Sequence, residues 1–520
     1  MRFCVIFAVL VATFLQTVTP ASFNKRRSND VTSYKRVCYH TNWSQYRNDP
    51  AKFFPDDIDP FLCTHLVYSF ATMEGNQLVA YEWNDESEEW AKGNYEKFND
   101  LKLQNPELKT LIAVGGWNFG TERMTAMLAT PENRAEFVTT SIDFIRARNF
   151  DGLDLDFEYP GSRGSPAEDK QRFTLLCQEL RAAFNQEGLD TGRDPLLLTA
   201  AVAAGHKATI DAGYEIALIA QELDFINLMS YDLHGAWENV TGHNSPLYSR
   251  PGESVEEAQL NIQWVTEYWL AGGCPANKLI IGLASYGRTF TLEDPAVFGY
   301  GAPAKGAGEA GTYTREAGFA AFHEICTKLN DGSAQRVWSP DHQVPFARFA
   351  GGSGTMDQWI GYDDTESASV KANWIIANGY GGGMTWALDL DDFNNQCGGG
   401  NYPITNAWVN ILGGPAPTPA TPATTVATTT TGAPTTTTIA TTTTSDPLAT
   451  TTTADPNATT TAASIESFCI GLADGTYSHP TDCSMYVQCA GETAYEMNCS
   501  AGTCYSPTIQ GCDFCDNVTC

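Results

Sequence analysis

The chain has 520 residues, 42% of them hydrophobic and 18% charged, so it is longer than one domain normally requires and can bury a large core. Its formal net charge of −30 at pH 7 argues against nucleic acid and against an anionic membrane surface as partners. An uncharged partner is compatible with this charge, although charge alone selects none.

Residues 1–21 have the pattern of a secretory signal peptide. Arg2 gives the basic start, residues 5–15 form the apolar run, and residues 19–21 offer a cleavage site of small residues. The apolar run is shorter than the ~20 residues that a membrane span needs, and no other segment reaches that length. We therefore expect a soluble, secreted, extracellular protein without a membrane anchor.

Short apolar stretches alternate with helix-like stretches over residues 22–413. The predicted strands are Arg36–Thr41, His65–Ala71, Thr110–Gly116, Gly152–Glu158, Leu196–Val202, Phe225–Tyr231, Leu279–Ser285 and Gly383–Leu388, and the predicted helices include Pro131–Arg148, Lys170–Glu187 and Val255–Leu270. Strands that alternate with helices favour a parallel sheet, and eight of them predict an α/β fold closed as a (β/α)8 TIM barrel. The interval of about 288–371 is too long for one crossover and predicts a small α+β insertion between strands 7 and 8.

The fourth predicted strand carries a row of acidic residues. Side chains alternate between the faces of a strand, so Asp154, Asp156 and Glu158 share one face while Leu153 and Leu155 take the other. Repulsion between like charges and burial both raise carboxyl pKa values, so at least one carboxyl should stay protonated near neutral pH. A general acid needs such a proton.

A calcium site or a solvated strand end would also explain an acidic row. Calcium loops usually place Gly and Asn between their ligands, whereas this row is separated by Leu155 and Phe157. The spacing therefore favours catalysis.

Aromatic and polar side chains follow the other predicted strands at their carboxyl ends, where the active sites of barrels lie. The sequences are YHTNWSQY at 39–46, GGWNFG at 115–120, MSYD at 229–232, SYGR at 285–288 and GGMTWALD at 382–389. Together with DGLDLDFEYP at 151–160, which matches a DxxDxDxE signature, they resemble the family 18 glycoside hydrolases, the chitinases, and within them the animal chitinases and chitinase-like lectins. Many members have Trp where this chain has Phe157, a conservative change on the outward face.

The resemblance implies hydrolysis of β-1,4-linked N-acetylglucosamine polymers, with retention, through an oxazolinium formed by the substrate itself. Glu158 would be the acid and base, Asp156 would bind the acetamido N–H, and Asp154 would share a proton with Asp156. Tyr231 would bind the acetamido oxygen, and Asp232 would contact the sugar near the cleaved bond. Without the resemblance, Tyr231 could cap a core strand and Asp232 could cap a helix.

The resemblance also implies a row of sugar contacts. Trp43, Trp83, Trp117, Trp237 and Trp386 fall on positions that stack on sugar rings, and Tyr39, Asn118, Met229, Tyr286, Arg288 and Glu316 fall on other substrate-contact positions. Trp386 would form the floor of the cleavage subsite. For any single Trp without the resemblance, core packing is the better interpretation.

The sequence supports no metal and no cofactor. His323-Glu324 lacks the second His of a zinc helix, and no glycine-rich phosphate loop lies between a strand and a helix.

The chain has 15 cysteines, a number that predicts a disulfide framework in an oxidising compartment. The resemblance implies the barrel disulfides Cys38–Cys63 and Cys326–Cys397. Cys177 and Cys274 have no evident partner and should be buried free thiols.

Residues 414–464 consist almost entirely of Thr, Ala and Pro, which predicts an O-glycosylated linker that forms no core. Residues 465–520 form a cysteine-rich module in which disulfides replace a core. Its cysteines Cys469, Cys483, Cys489, Cys499, Cys512 and Cys520 resemble the peritrophin-A type chitin-binding module, to which Cys504 and Cys515 are extra. Tyr486 and Tyr495 are candidate stacking residues, with a structural role nearly as plausible.

Two hypotheses from different classes therefore stand. The first is an endo-acting secreted chitinase, a monomer whose partners are chitin and its oligosaccharides. The second is a secreted chitin-binding lectin without turnover. Lectin relatives usually lose the acid, and the presence of Glu158 favours the enzyme.

Overall fold

A computed structural model describes residues 34–413 and, toward the C terminus, residues 475–480, 482–490, 493–499, 503–506 and 511–514. The predicted signal peptide (1–21), the linker (414–464), Cys469 and Cys520 lie outside the described residues, as do the side chains of Cys512 and Tyr495.

Eight parallel strands close into a barrel, which confirms the predicted fold class. The strands are β1 Lys35–Thr41, β2 His65–Glu74, β3 Lys109–Gly115, β4 Gly152–Asp156, β5 Leu197–Val202, β6 Phe225–Leu228, β7 Leu279–Ala284 and β8 Gly382–Trp386. Each strand pairs with its neighbours in chain order, and β1 pairs with both β2 and β8, so the sheet has no free edge. A short strand, Gln77–Val79, extends β2 as a hairpin outside the barrel.

Ten α-helices lie in residues 34–413. They are α1 Asn94–Gln104, α2 Glu122–Leu128, α3 Pro131–Ala147, α4 Asp169–Thr191, α5 Lys207–Gly213, α6 Ile216–Glu222, α7 Ile262–Ala271, α8 Phe322–Asn330, α9 Thr365–Asn378 and α10 Pro403–Ile411. Helix α8 packs on the insertion, and the others accompany the barrel strands. In the parts of the chain that the structure describes, none of these helices combines the length and apolarity needed to cross a bilayer.

Helix α7 corrects one sequence expectation. It begins at Ile262 and not at Val255, because the Asn261 side chain accepts a hydrogen bond from the Trp264 N–H and caps the helix there. The preceding residues Glu257–Gln259 form only a single 3-10 turn.

The predicted insertion lies between β7 and β8. Its antiparallel sheet contains Tyr286–Leu292, Ala304–Ala307, Phe319–Ala321, Ala334–Ser339, Val344–Phe349 and Gln358–Gly361, and α8 packs beside it. The first of these strands begins two residues after β7 ends, so the carboxyl end of β7 runs directly into the insertion.

Two disulfides tie the barrel together. Cys38 on β1 is bonded to Cys63, and Cys326 on α8 is bonded to Cys397, with sequence separations of 25 and 71 residues. In the chain-entropy model, closing loops of these lengths stabilises the fold by about 3.5 and 4.4 kcal/mol. Asp392 lies close to the second pair, but sulfurs joined to each other cannot act as thiolate ligands for a metal.

Cys177 and Cys274 are free and buried, as expected. Burial raises the pKa of both thiols well above the usual range, to about 12 for Cys274, so both are unreactive at neutral pH.

The C-terminal unit is small and built from β structure. Gly475–Ser478, Met485–Ala490 and Thr493–Asn498 form a three-stranded antiparallel sheet, and Thr503–Ser506 pairs with Gly511–Phe514. Cys483, Cys489, Cys499 and also Cys504, which was extra to the six expected cysteines, are disulfide-bonded. The Tyr486 ring stacks on the buried Tyr505 ring with 5.2 Å between centroids, which favours a structural role for Tyr486.

Candidate active site

The acidic row starts on β4 and continues past its end. The strand stops at Asp156, so Glu158 lies in the following turn and not on the strand as the sequence suggested. Asp154 and Asp156 are buried inside the barrel, whereas Leu153 and Leu155 belong to the core between strands and helices. The alternation of faces is therefore as expected over the strand itself.

Close contact between β3 and β4 requires a glycine beside the acids. Gly115 has φ +119°, and a Cβ at this position would lie 1.9 Å from the carbonyl oxygen of Asp156. The next amide, Gly116 N–H, donates to that same oxygen at 2.8 Å. The backbone beneath the acidic row is thereby fixed by the neighbouring strand.

Asp154 is the most deeply held carboxyl of the row. The Tyr39 hydroxyl donates to its Oδ2 at 2.7 Å, while Thr199 Oγ1 and Asn227 Nδ2 donate to its Oδ1. Asn227 also donates to the Tyr39 oxygen at 2.9 Å. Burial raises the pKa of Asp154, and these hydrogen bonds oppose the rise because they favour the ionised form.

Asp156 has no comparable set of donors. Its Oδ1 is buried without a hydrogen-bond partner among the described residues. Burial first, and then the charges of Glu158 and Asp154, raise the pKa of Asp156 well above its usual range. Hydrogen bonds therefore oppose the rise of the pKa of Asp154, whereas burial and both neighbouring charges act to raise that of Asp156.

Glu158 stands half-exposed at the mouth of the barrel. Burial raises its pKa to about 7, against the Tyr159 hydrogen bond and the Arg163 charge, which lower it, and with a further increase from Asp232. A carboxyl with this pKa is present in both protonation states near neutral pH, which suits a group that first donates and later accepts a proton.

Tyr231 and Asp232 follow β6, which ends at Leu228 and not at Tyr231 as predicted. Tyr231 is buried, and burial keeps the pKa of its phenol well above 10, so its hydroxyl is a permanent donor. Asp232 has φ +54° and uses its N–H to bond Asn244 Oδ1 at 2.9 Å. Asp232 caps no helix in the described residues, and its left-handed backbone conformation is not that of a strand.

The Asp232 carboxylate binds two predicted contact residues from the insertion. Tyr286 Oη and Arg288 Nε both donate to its Oδ1, at 2.8 and 2.7 Å. Arg288 Nη1 lies 3.8 Å from Glu316 Oε1, and the guanidinium faces the exposed Trp237 ring at 5.5 Å. These five predicted site residues are therefore one connected group.

An aromatic cluster inside the barrel contains several of the predicted sugar contacts. Tyr39, Tyr231, Tyr286 and Met384 belong to the apolar cluster inside the barrel, and the half-buried Met229 and Trp386 pack against it. The Trp386 ring lies 5.4 Å from that of Tyr39 and 6.1 Å from that of Trp43. The structure thus brings these predicted contacts together.

Other predicted contacts lie at the exposed rim. The side chains of Trp83, Trp117 and Trp237 are 54%, 58% and 57% exposed, and Asn118 is exposed as well. The loop that carries Trp83 is joined to the turn that carries Trp43, because Tyr46 Oη donates to Glu82 and Asn84 Nδ2 donates to Gln45 Oε1. No contact in the described residues joins Trp83 itself to the carboxylates.

Sequence reasoning missed Thr199, Asn227 and Arg163. The first two are polar residues inside the apolar strands LLTAAV and FINL, and such interruptions at inward positions would have identified them. Arg163 gave no comparable signal, since one basic residue in a loop is ordinary. Phe157 is buried and packs near Phe173, as its outward position implied.

Asn42 begins an Asn-x-Ser sequon, the acceptor motif for N-glycans, but its side chain is not available for a glycan. Asn42 is buried and donates to the Phe70 carbonyl, whereas Asn239 in another sequon is exposed.

Comparisons with known proteins match two regions of the chain to known families. The family described as "Glycosyl hydrolases family 18" matches residues 35–391, and "Chitin binding Peritrophin-A domain" matches residues 469–520. Mouse chitotriosidase-1 is 43% identical over 479 residues, which cover 92% of this chain and 95% of that protein.

Solved structures of similar proteins include both active and inactive proteins. A chitinase from Trichuris suis is 41% identical, with a TM-score of 0.68 over 73% of this chain and 100% of the other. Human YKL-39, described as a pseudo-chitinase with retained chitooligosaccharide binding, is 40% identical with the same TM-score and the same coverage of both chains.

Proposed function

The chain belongs to the family 18 glycosyl hydrolases, as a chitinase-family enzyme with a C-terminal peritrophin-A domain, and from this premise we propose that it is a secreted, endo-acting chitinase that cleaves with retention. The observation that carries the proposal is the carboxyl row. Glu158, with a pKa of about 7, stands beside a buried Asp156 whose own pKa is raised further. A lectin transfers no proton and so has no need of carboxyls with raised pKa values.

In the first step, the acetamido carbonyl oxygen of the substrate forms a bond to the anomeric carbon while the glycosidic C–O bond breaks. Glu158 gives its proton to the leaving oxygen. The nucleophile belongs to the sugar itself, so the reaction has the high effective concentration of an intramolecular attack. The product of this step is a positively charged oxazolinium.

In the second step, Glu158 takes a proton from water as the water oxygen attacks the anomeric carbon. The bond from that carbon to the acetamido oxygen breaks, and Glu158 is again protonated. Two displacements at one carbon restore the original β configuration.

Asp156 supports both steps from the side of the acetamido group. Its unpartnered Oδ1 accepts the acetamido N–H and stabilises the positive charge. Asp154 lies below it, held by the hydrogen bonds of Tyr39, Thr199 and Asn227.

Tyr231 donates its hydroxyl to the acetamido oxygen and holds it in line with the anomeric carbon. Its present contact is weak, with 3.6 Å between Oη and Met384 Sδ, so this donor can exchange for a substrate oxygen at little cost. Asp232, fixed by Tyr286 and Arg288, contacts the sugar beside the cleaved bond.

The extended aromatic surface supports a polymeric substrate. Trp386 forms the floor beneath the reacting sugar, and the exposed rings of Trp43, Trp117 and Trp237 provide stacking surfaces for other sugars of the chain. A C-terminal chitin-binding domain would hold such an enzyme, acting as a secreted monomer, on insoluble chitin and raise its local concentration.

The test is NMR of products freshly released from a chitin oligosaccharide, read before mutarotation. New β-anomers are expected, and Glu158→Gln should abolish them while leaving oligosaccharide binding intact. New α-anomers would mean inversion, and the roles of Asp156 and Tyr231 would then be wrong. Binding without cleavage by the wild type would place the chain with the pseudo-chitinases.

A further inference from the structure

Arg163 joins the acid to an aromatic subsite. Its Nη1 donates to the carbonyl oxygen of Glu158 at 2.9 Å, and its Nη2 donates to the carbonyl oxygen of Trp117 at 3.2 Å. The guanidinium also lies 3.4 Å from the centroid of the Trp117 ring. One side chain thus contacts the segments that follow two adjacent barrel strands, β3 and β4.

We propose that Arg163 is a positioning residue of the reaction: its guanidinium clamps the Glu158 backbone to Trp117 and holds a positive charge beside the acid. The inference rests on the proposed role of Glu158.

The contacts require the shape of arginine as well as its charge. A planar guanidinium offers a fork of N–H donors in its plane and a flat face for an aromatic ring, whereas a lysine ammonium offers one compact charge. Here the fork meets two carbonyls while the face covers the indole, so the orientation of Trp117 is coupled to that of the Glu158 peptide.

The loop that carries Arg163 is itself firmly held. Thr121 Oγ1 donates to the Arg163 carbonyl at 3.1 Å, and Ser165 Oγ donates to the buried carboxylate of Asp169 at 2.8 Å. Arg163 has φ +52°, a left-handed backbone conformation that strains every variant with a Cβ to the same extent. Comparisons among its variants therefore report the side chain and not the backbone.

The Arg163 charge also affects the pKa of Glu158, because the other ionisable groups around this carboxyl in the described residues carry no positive charge. Asp154 and Asp156 from β4 and Asp232 after β6 are acidic, and Tyr159, Tyr214 and Tyr231 are neutral phenols. Arg163 is the cation that lowers the pKa of Glu158. Its removal raises that pKa, so the acid stays protonated to a higher pH.

The experiment compares Arg163→Gln, Arg163→Met and Arg163→Lys in the full chain. The Gln and Met variants should move the basic limb of kcat against pH upward by about half a pH unit at low salt, and by less at high salt because Arg163 is exposed. The Lys variant keeps the charge but loses the fork, so its limb should stay while KM for oligosaccharides rises several-fold.

A matched control is Arg123→Gln. Arg123 packs over Phe119 at 5.0 Å and donates to Thr72, so it is a nearby cation that contacts neither Glu158 nor Trp117. Its removal should leave both the limb and KM unchanged. Thermal unfolding of each variant checks that the fold is retained.

The inference is overturned if the limbs and KM values of all three Arg163 variants match the wild type. If a variant does not fold, the test is the basic limb of kcat against pH of the wild type, measured at low and at high salt. A limb that does not move with salt contradicts the proposed effect of the Arg163 charge on the pKa of Glu158. Failure of the proposed function is distinguishable, because the wild type would then release no product, or Glu158→Gln would keep its activity.

Discussion

Two buried acidic sites in the barrel domain treat their negative charge differently. Asp363 pairs with Lys371 at 2.6 Å, with the two side chains 2% and 0% exposed. Ser367 Oγ donates to Asp363, and Lys371 also donates to the Ser245 carbonyl. Asp156 is nearly as buried, but its neighbours are further carboxyls and its Oδ1 has no partner among the described residues.

The contrast separates a structural charge from one that we propose acts in catalysis. Burial raises the pKa of Asp363 and lowers that of Lys371, and each charge opposes the shift of the other, which favours the ionised pair. In the part of the chain that the structure describes, burial and the charges of two neighbouring carboxyls act on the pKa of Asp156, and all of them raise it. The first site pairs its charge with a cation, whereas the second site places carboxyls beside one another, so that their charges raise the pKa of Asp156.

Breaking the structural pair should have the largest effect on stability. Asp363→Asn leaves the Lys371 charge buried without its partner, and we expect a loss of about 3–5 kcal/mol in the free energy of unfolding. Urea unfolding measures it. Adding Lys371→Met should recover part of the loss, and a single variant as stable as the wild type would contradict the comparison.

The same substitution at Asp156 should have the opposite pattern. Asp156→Asn is expected to lower kcat about 10²–10³-fold, since the oxazolinium loses its anion. A pKa raised by folding contributes stability at pH values below its unfolded value and loses it as pH rises. The stability of the variant relative to wild type should therefore increase from pH 4 to pH 7. A uniform destabilisation across this range in urea unfolding would argue against a raised pKa of Asp156 in the folded state.

The pH profile sharpens the comparison further. Glu158 must be protonated for the first step, and its pKa is raised to about 7, so activity is complete below that pH and lost above it. We expect kcat to fall about tenfold per pH unit on the alkaline side. Steady-state rates on a soluble oligosaccharide measure the limb; a limb that stays flat to pH 9 would exclude Glu158 as the acid.

The smallest effect is expected at the exposed rim. Trp83→Ala should raise KM for long oligosaccharides several-fold and leave short ones unaffected, because one stacking contact is worth about 1 kcal/mol. Trp90→Ala is a stringent control, since Trp90 is 77% exposed and the family resemblance assigns it no contact. Equal changes in both variants would mean that exposure alone, and not subsite position, determines binding.

The sequence predicted the barrel well because its strands are apolar and regular. Each observed strand starts within one residue of its predicted start, and the insertion lies where the long interval indicated. The failures are at strand ends. Residues after Asp156 and Leu228 leave the sheet because their backbone partners come from loops, as when Asp232 bonds Asn244, and such partners are distant in sequence.

The site was predicted as a set of residues but not as a set of contacts. The family resemblance placed Asp156 and Glu158 together, but for Asp154 it implied only that this residue shares a proton with Asp156. The donors Thr199 and Asn227 come from other strands, and only the closed barrel brings them to Asp154. Arg163 likewise acquires its role from a neighbouring strand end.

The hydrogen bonds around Asp154 also bear on how this barrel could be divided. A cut in the loop between β4 and β5 would leave the acidic row in one fragment and the donors Thr199 and Asn227 in the other. Neither half holds a working site, since one fragment has the acidic row without its full set of donors and the other has those donors without the acidic row. The activity recovered on mixing such fragments would therefore be proportional to the amount of correctly reassembled barrel.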